Sequence, residues 1–217
     1  MDYISGKMVA LSILALPFLL TVTIREALRG YVAHRLGDNT PAYNGRLTAN
    51  PLAHADPIWT GVVPVVAFVV LNFPILLGQA KPMPVDPRNF SDPKGDMLKF
   101  TLAAPISGFL VAFLFAIVFH AAFALGFTGQ DWITNTAYYG VYLAMIFTVI
   151  GLLPIPPLDG GKILVLLLPY ETGRSLQAVE PYSFFIVIGI FIFAPAIFQG
   201  PADLLTQTIL GVVGIFF

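Results

Sequence analysis

Four ionisable side chains stand at the ends of long uncharged stretches, and they have the types and spacing to do chemistry. Arg25, Glu26 and Arg29 close the first apolar run, and Asp159 follows a later one, in the turn-rich stretch from Leu153 to Lys162. Ionisable groups in or beside a membrane segment are costly and mark functional sites by default. On a helix, Arg25 and Arg29 share a face at four apart, and Glu26 lies within reach of Arg29 at three apart. A carboxylate placed there can act as a general base or a metal ligand, whereas a guanidinium can only donate hydrogen bonds. The plain alternative is a helix that ends at this point and snorkels its arginines to the headgroups. Asp159 shifts the balance. A carboxylate after a long uncharged run, followed by Gly160 and Gly161, needs a partner.

The rest of the chain is built for lipid. Of its 217 residues, 57% are hydrophobic and 11% charged, and the mean hydropathy is +0.83. A soluble domain carries about 25% charged residues, so a surface this apolar is expected to face a bilayer. The length suits one membrane domain spanning residues 1–217. A net charge of −1 gives no reason to expect nucleic acid. With no cysteine, disulfides, thiolate metal sites and cysteine nucleophiles are excluded. A single basic residue, Lys7, precedes the first apolar stretch, and no small-residue cleavage site follows it, so the stretch is expected to remain as a helix and not to be removed as a signal peptide.

Positioning those four side chains falls to helices, since lipid offers no partner to open backbone groups. Four stretches approach the ~20 apolar residues a span requires: Met8 to Ile24 (with apolar positions continuing through Val32), Phe100 to Phe127, Ile133 to Leu158, and Pro181 to Ala202. The tail from Leu204 to Phe217 is expected to form a last span or to lie in the interface. The segment from Ile58 to Gly78 is apolar but carries Pro64 and Pro74, each of which removes a helical hydrogen bond. If it re-enters, Arg35, Arg46, Lys81, Arg88, Lys94, Lys99, Lys162 and Arg174 share one face against Lys7. If it spans, the split is seven against two. The positive-inside rule favours re-entry by that margin, with the N-terminus outside and the polar loops cytoplasmic. The loops Gly37 to Pro57 and Lys81 to Gly95 are rich in turn formers and are expected to be ordered connectors with short extended pieces. The fold class expected is thus an all-α polytopic membrane protein.

With those residues in view, the chain resembles the site-2 protease family of intramembrane zinc metalloproteases, especially its compact bacterial branch. The family's H-E-x-x-H, followed by a small residue, falls on Arg25 to Gly30. Family-like segments continue from Gly45 to Pro57 and from Ala80 to Phe90. The family's G-P-x-x-N falls on Ala104 to Gly108, and its N-x-x-P-x-P-P-L-D-G on Gly151 to Gly160. The resemblance implies a site-2-protease-like helical core. It also implies a site in which two histidines and the last aspartate hold zinc while the glutamate activates water. Histidines at i and i+4 share one helical face, which suits a metal, and three protein ligands leave a fourth position for water. Here Glu26 stands in the general-base position and Asp159 in a ligand position, but both histidines are arginines. A guanidinium has no lone pair to offer and stays protonated. Gly108 and Gly151 stand where the family carries asparagines that help to hold substrate.

The resemblance also gives a charge argument. Zinc and two carboxylates, with neutral imidazoles, carry the same total as two guanidiniums and two carboxylates. Arg25 or Arg29 is therefore expected to pair with Asp159 in an ion-pair network with Glu26, since arginine–carboxylate pairs are short and charge-assisted. No metal is expected at the degenerate positions Arg25, Arg29 and Asp159, and no other cofactor. Three histidines remain. His34 lies nine residues after Arg25, about 180° round the helix, and faces away. His120 is expected to bond a backbone carbonyl within its span. His54 matches a family histidine, with loop capping its expected task and an auxiliary ligand role the alternative.

The leading expectation is a catalytically inactive relative: a scaffold or subunit in a bacterial inner membrane that binds a transmembrane helix of a partner protein or a larger complex. An active zinc endopeptidase with unusual ligands and an ion or proton conduit are the competing readings.

Overall fold

A computed structural model of the chain describes residues 3–70, 76 and 78–217. It is helical throughout, with no strand among the described residues. Among the described residues three helices are long and apolar enough to cross a membrane: α1 (Tyr3–Arg35), α4 (Pro93–Ala124) and α5 (Trp132–Gly151). Between α1 and α4 lie the short α2 (Thr40–Tyr43), a π-helical turn (Pro57–Val62) and α3 (Val63–Val69). α4 (Pro93–Ala124) and α5 (Trp132–Gly151) then pack against each other and against α1. The chain closes with α6 (Asp159–Leu167), α7 (Tyr170–Gln177), α8 (Ser183–Phe193) and α9 (Ala196–Gly214).

Between helices bathed in lipid tails there is little hydrophobic driving force, so small residues that allow close approach matter most. α4 presents Ala104, Gly108, Ala112 and Ala116 at four-residue intervals, all buried, and α5 presents Ala137, Gly140, Ala144 and Thr148. Val111, Val141, Leu143, Met145 and Phe198 fill the space between them. In the loops, an Asn or Asp before proline recurs. Asn50, Asp56, Asp86 and Asp92 each accept hydrogen bonds from backbone N–H groups two or three residues ahead and so start a helical turn. Proline suits the following position because its missing N–H would have no helical partner there.

The segment Ile58 to Gly78 begins and ends at the same place. Gln79 N–H donates to the Trp59 carbonyl (3.1 Å), and Thr60 Oγ1 donates to the Gln79 carbonyl (2.7 Å). In between, the Phe68 carbonyl accepts from Lys7 Nζ (3.1 Å), at the opposite end of α1. Residues 71–75 and 77 of this segment lie outside the described residues. The meeting of its ends is what re-entry requires. At the same end of the bundle, Asp38 binds Asp86 N–H and Asn89, and Arg46 binds the Lys81 carbonyl, so the two turn-rich loops pack together.

Two expected spans end differently. The third stops at Gly151, short of Leu158, because Pro154, Pro156 and Pro157 cannot continue a helical ladder. The fourth, Pro181 to Ala202, is broken: α8 stops at Phe193, Pro195 intervenes, and α9 starts at Ala196. The tail from Leu204 is accordingly no separate element. It continues α9, which lies along α5 and α4 with Phe198, Ala202, Thr206, Ile209 and Val213 buried.

Candidate functional site

The C-terminal half of α1 carries Arg25, Glu26 and Arg29 to a point where α6 begins. Asp159 is in the first turn of α6, where the unpaired N–H groups and the helix dipole favour a carboxylate. The two glycines after it let α6 start hard against the preceding turn. A side chain at position 160 would strike the Leu152 carbonyl, and one at 161 the backbone of Ile155 and Pro156. Asp159 is thus held where its side chain can reach α1.

There the Arg25 guanidinium donates to Asp159 Oδ2. Arg29 Nη2 lies 3.8 Å from Asp159 Oδ1, and Arg29 Nη1 donates to Glu26 Oε1 at 3.1 Å. The other oxygen of Glu26 accepts from the backbone N–H of Met83 at 2.7 Å. The Arg29 guanidinium also stacks 4.5 Å from the centre of the Phe100 ring, a cation–π contact from α4. Asp159, Glu26 and Arg29 are buried, while the Arg25 side chain keeps 27% exposure. Within this set of four the charges balance, two positive and two negative, and both carboxylates are engaged.

Gly108 and Gly151 line the same small recess as Arg25 and Asp159. A side chain at 108 would run into Thr148 Oγ1, which itself donates to the Ala144 carbonyl. At 151 a methyl group would make ordinary contact with Asp159 and Arg25, 3.4 and 3.5 Å away. Position 108 is therefore closed by its neighbour and position 151 is not.

His54 is fully engaged away from the carboxylates. Its Nδ1 faces Arg46 Nε and Nη2 at 3.4 and 3.3 Å, so Nδ1 is the acceptor, and Nε2 donates to the Thr48 carbonyl at 2.9 Å. Arg46 also donates to the Lys81 carbonyl at 2.6 Å. Burial pushes the Arg46 guanidinium below its ordinary pKa, opposed by the nearby Glu26 charge. His120 Nε2 donates to the Leu210 carbonyl at 2.9 Å, and His34 takes no part in the site. Sequence reasoning missed Met83, Phe100 and Arg46 as parts of the site. Arg46 carried a signal, being a charge inside a turn-rich loop, but the Met83 contribution is backbone and has none.

Zinc does not fit these residues. Of the four positions that converge, two present guanidiniums with only N–H groups, and each carboxylate already accepts from an arginine. Among the described residues, no group of three histidine, aspartate or glutamate side chains is placed to hold a metal ion.

No family model and no solved structure matches the chain. Curated relatives do. "Putative zinc metalloprotease YwhC" of Bacillus subtilis is 29% identical over 183 residues, covering 82% of this chain and 80% of the relative. "Putative zinc metalloprotease Rip2" of Mycolicibacterium smegmatis is 28% identical over 184 residues, covering 83% of this chain and 66% of the relative. The motif order, the helical membrane fold and these relatives agree: the chain is similar to proteins named putative zinc metalloproteases, with Arg25 and Arg29 where the site-2 protease motif it resembles carries histidines.

Proposed function

We propose that this protein is a non-catalytic, site-2-protease-like membrane protein that binds transmembrane segments of partner proteins as a scaffold or subunit. The observation that carries the reading is the state of the two carboxylates. Glu26 and Asp159 hold the general-base and ligand positions, and both accept from guanidiniums that cannot donate an electron pair to a metal. The arginines supply the positive charge that a zinc ion would bring, and each carboxylate accepts from one of them. Both oxygens of Glu26 are taken up by the protein, one by Arg29 and the other by Met83 N–H.

The proposed setting is a bacterial plasma membrane, with the two turn-rich loops facing the cytoplasm. Eight lysines and arginines fall on that side in the re-entrant topology, as the positive-inside rule favours. The relatives' names favour one second reading, a working zinc endopeptidase, and the two are separable. Protein purified in mild detergent is assayed for zinc and, in liposomes, for cleavage of reporter transmembrane helices. Sub-stoichiometric zinc and no chelator-sensitive cleavage are expected. One zinc per chain together with cleavage that a chelator abolishes would refute the proposal.

A further inference from the structure

A second set of polar side chains lies on α9, away from the pocket. Gln199, Asp203 and Gln207 recur every four residues and all are exposed, next to the buried stripe that faces α5 and α4. Positions four apart form one line along a helix. Gly214, near the end of α9, abuts His120 of α4; Asp203 lies eleven residues earlier, ~17 Å along the axis. The carboxylate therefore sits at mid-depth of the helical bundle, on its outer surface.

The side chains of Gln199, Asp203 and Gln207 make no hydrogen bond or ion pair among the described residues. α5, α8 and α9 contain no lysine, arginine or histidine that could reach Asp203. The contrast with Glu26 and Asp159, each held by a guanidinium, is direct. Charged groups at membrane depth normally face a bundle interior and are paired, and polar side chains join helices there. A second copy of this chain is a poor cover for the patch. A two-fold axis along the membrane normal would set Asp203 against Asp203, and two neighbouring carboxylates disfavour each other's charge.

We infer that the α5–α9 face around Asp203 docks a transmembrane helix of another protein that carries a lysine or arginine near its midpoint, the cation pairing with Asp203 between the amides of Gln199 and Gln207. The inference rests on the partner-binding reading above and gives it a surface, but it does not depend on the pocket being inactive. Its failure would leave the zinc and cleavage results untouched.

Because the chain has no cysteine, a single Gly129→Cys substitution in the α4–α5 turn accepts one donor fluorophore. The full chain is reconstituted in phosphatidylcholine liposomes with acceptor-labelled polyleucine helices that carry either one central arginine or leucine throughout. Energy transfer should show the arginine helix binding at least about tenfold more strongly than the all-leucine helix. Asp203→Asn should abolish the difference, Asp203→Glu should keep it, and Leu204→Ala on the neighbouring lipid face should not alter it. The thermal transition of each variant checks folding, and the Glu variant keeps the test decisive if the Asn variant is unstable. Equal binding of the two helices overturns the inference, and so does a preference for arginine that survives Asp203→Asn. Self-association of the wild-type chain that Asp203→Asn removes would also overturn it.

Discussion

Asp159 accepts a hydrogen bond from the Arg25 guanidinium across 134 positions of sequence. The contact ties the last third of α1 to the start of α6, and Arg29, 3.8 Å from the other carboxylate oxygen, links it on to Glu26. An ion-pair network with no net charge thus occupies the position that a metal centre holds in the motif this chain resembles.

That arrangement makes the two ends of the pair unequal. Asp159→Ala leaves Arg29, a buried cation, without one of its anions and Arg25 without any. Breaking a buried pair from one side costs roughly 3–5 kcal/mol. Arg25→His should cost less, because Arg25 is partly exposed and Arg29 remains beside Asp159. Thermal unfolding in detergent should rank Asp159→Ala well below Arg25→His. Equal transitions would show that the pair contributes little.

If the arginines alone exclude the metal, Arg25→His with Arg29→His should restore a site from two imidazoles on one helical face and Asp159. The double variant is expected to retain about one zinc per chain after gel filtration. Either single variant, and the triple variant that adds Asp159→Ala, should retain far less. Metal analysis decides the matter, and a metal-free double variant would mean that the backbone here has drifted from a ligating geometry.

Gly108 is expected to resist the side chain that the family motif carries there. Gly108→Asn would run into Thr148 Oγ1 and should lower stability by about 1–3 kcal/mol, as overpacking does. Thr148→Ala removes the obstacle, so the double variant should recover part of the loss. A double-mutant cycle by thermal unfolding measures the coupling. Purely additive effects would place the strain elsewhere.

Asp38 predicts an acid sensitivity outside the membrane. Burial raises its pKa, but hydrogen bonds from Thr40, Asn89 and the backbone of Asp86 and Thr40 outweigh this and hold it below the ordinary carboxylate range. A depressed folded-state pKa means stability that is fully present above the unfolded value and is lost as pH falls through the folded one. Wild-type unfolding temperature should therefore drop on acidification through the carboxylate range, and Asp38→Asn should flatten that drop while lowering stability at neutral pH. An unchanged acid profile in the variant would count against this role.

Much of the architecture is legible in the residues because its causes are local. Uncharged runs dictate membrane helices, prolines at 154, 156, 157 and 195 end or break them, and the spacing of Arg25, Glu26 and Arg29 puts them within reach of one another on α1. The replacement of electron-pair donors by guanidiniums is also plain from side-chain chemistry alone. Other features exist only once the chain is folded. The partner of Asp159 is settled by where α6 starts, and that depends on Gly160 and Gly161 pressing against the Leu153 to Pro157 turn. Met83 reaches Glu26 through a backbone N–H, Arg46 reaches the Lys81 carbonyl in another loop, and α9 runs on past the expected end of its span. Local sequence sets which conformations a segment can adopt, whereas these contacts form between segments tens of residues apart. Only packing decides which of the available donors arrives first at a buried acceptor.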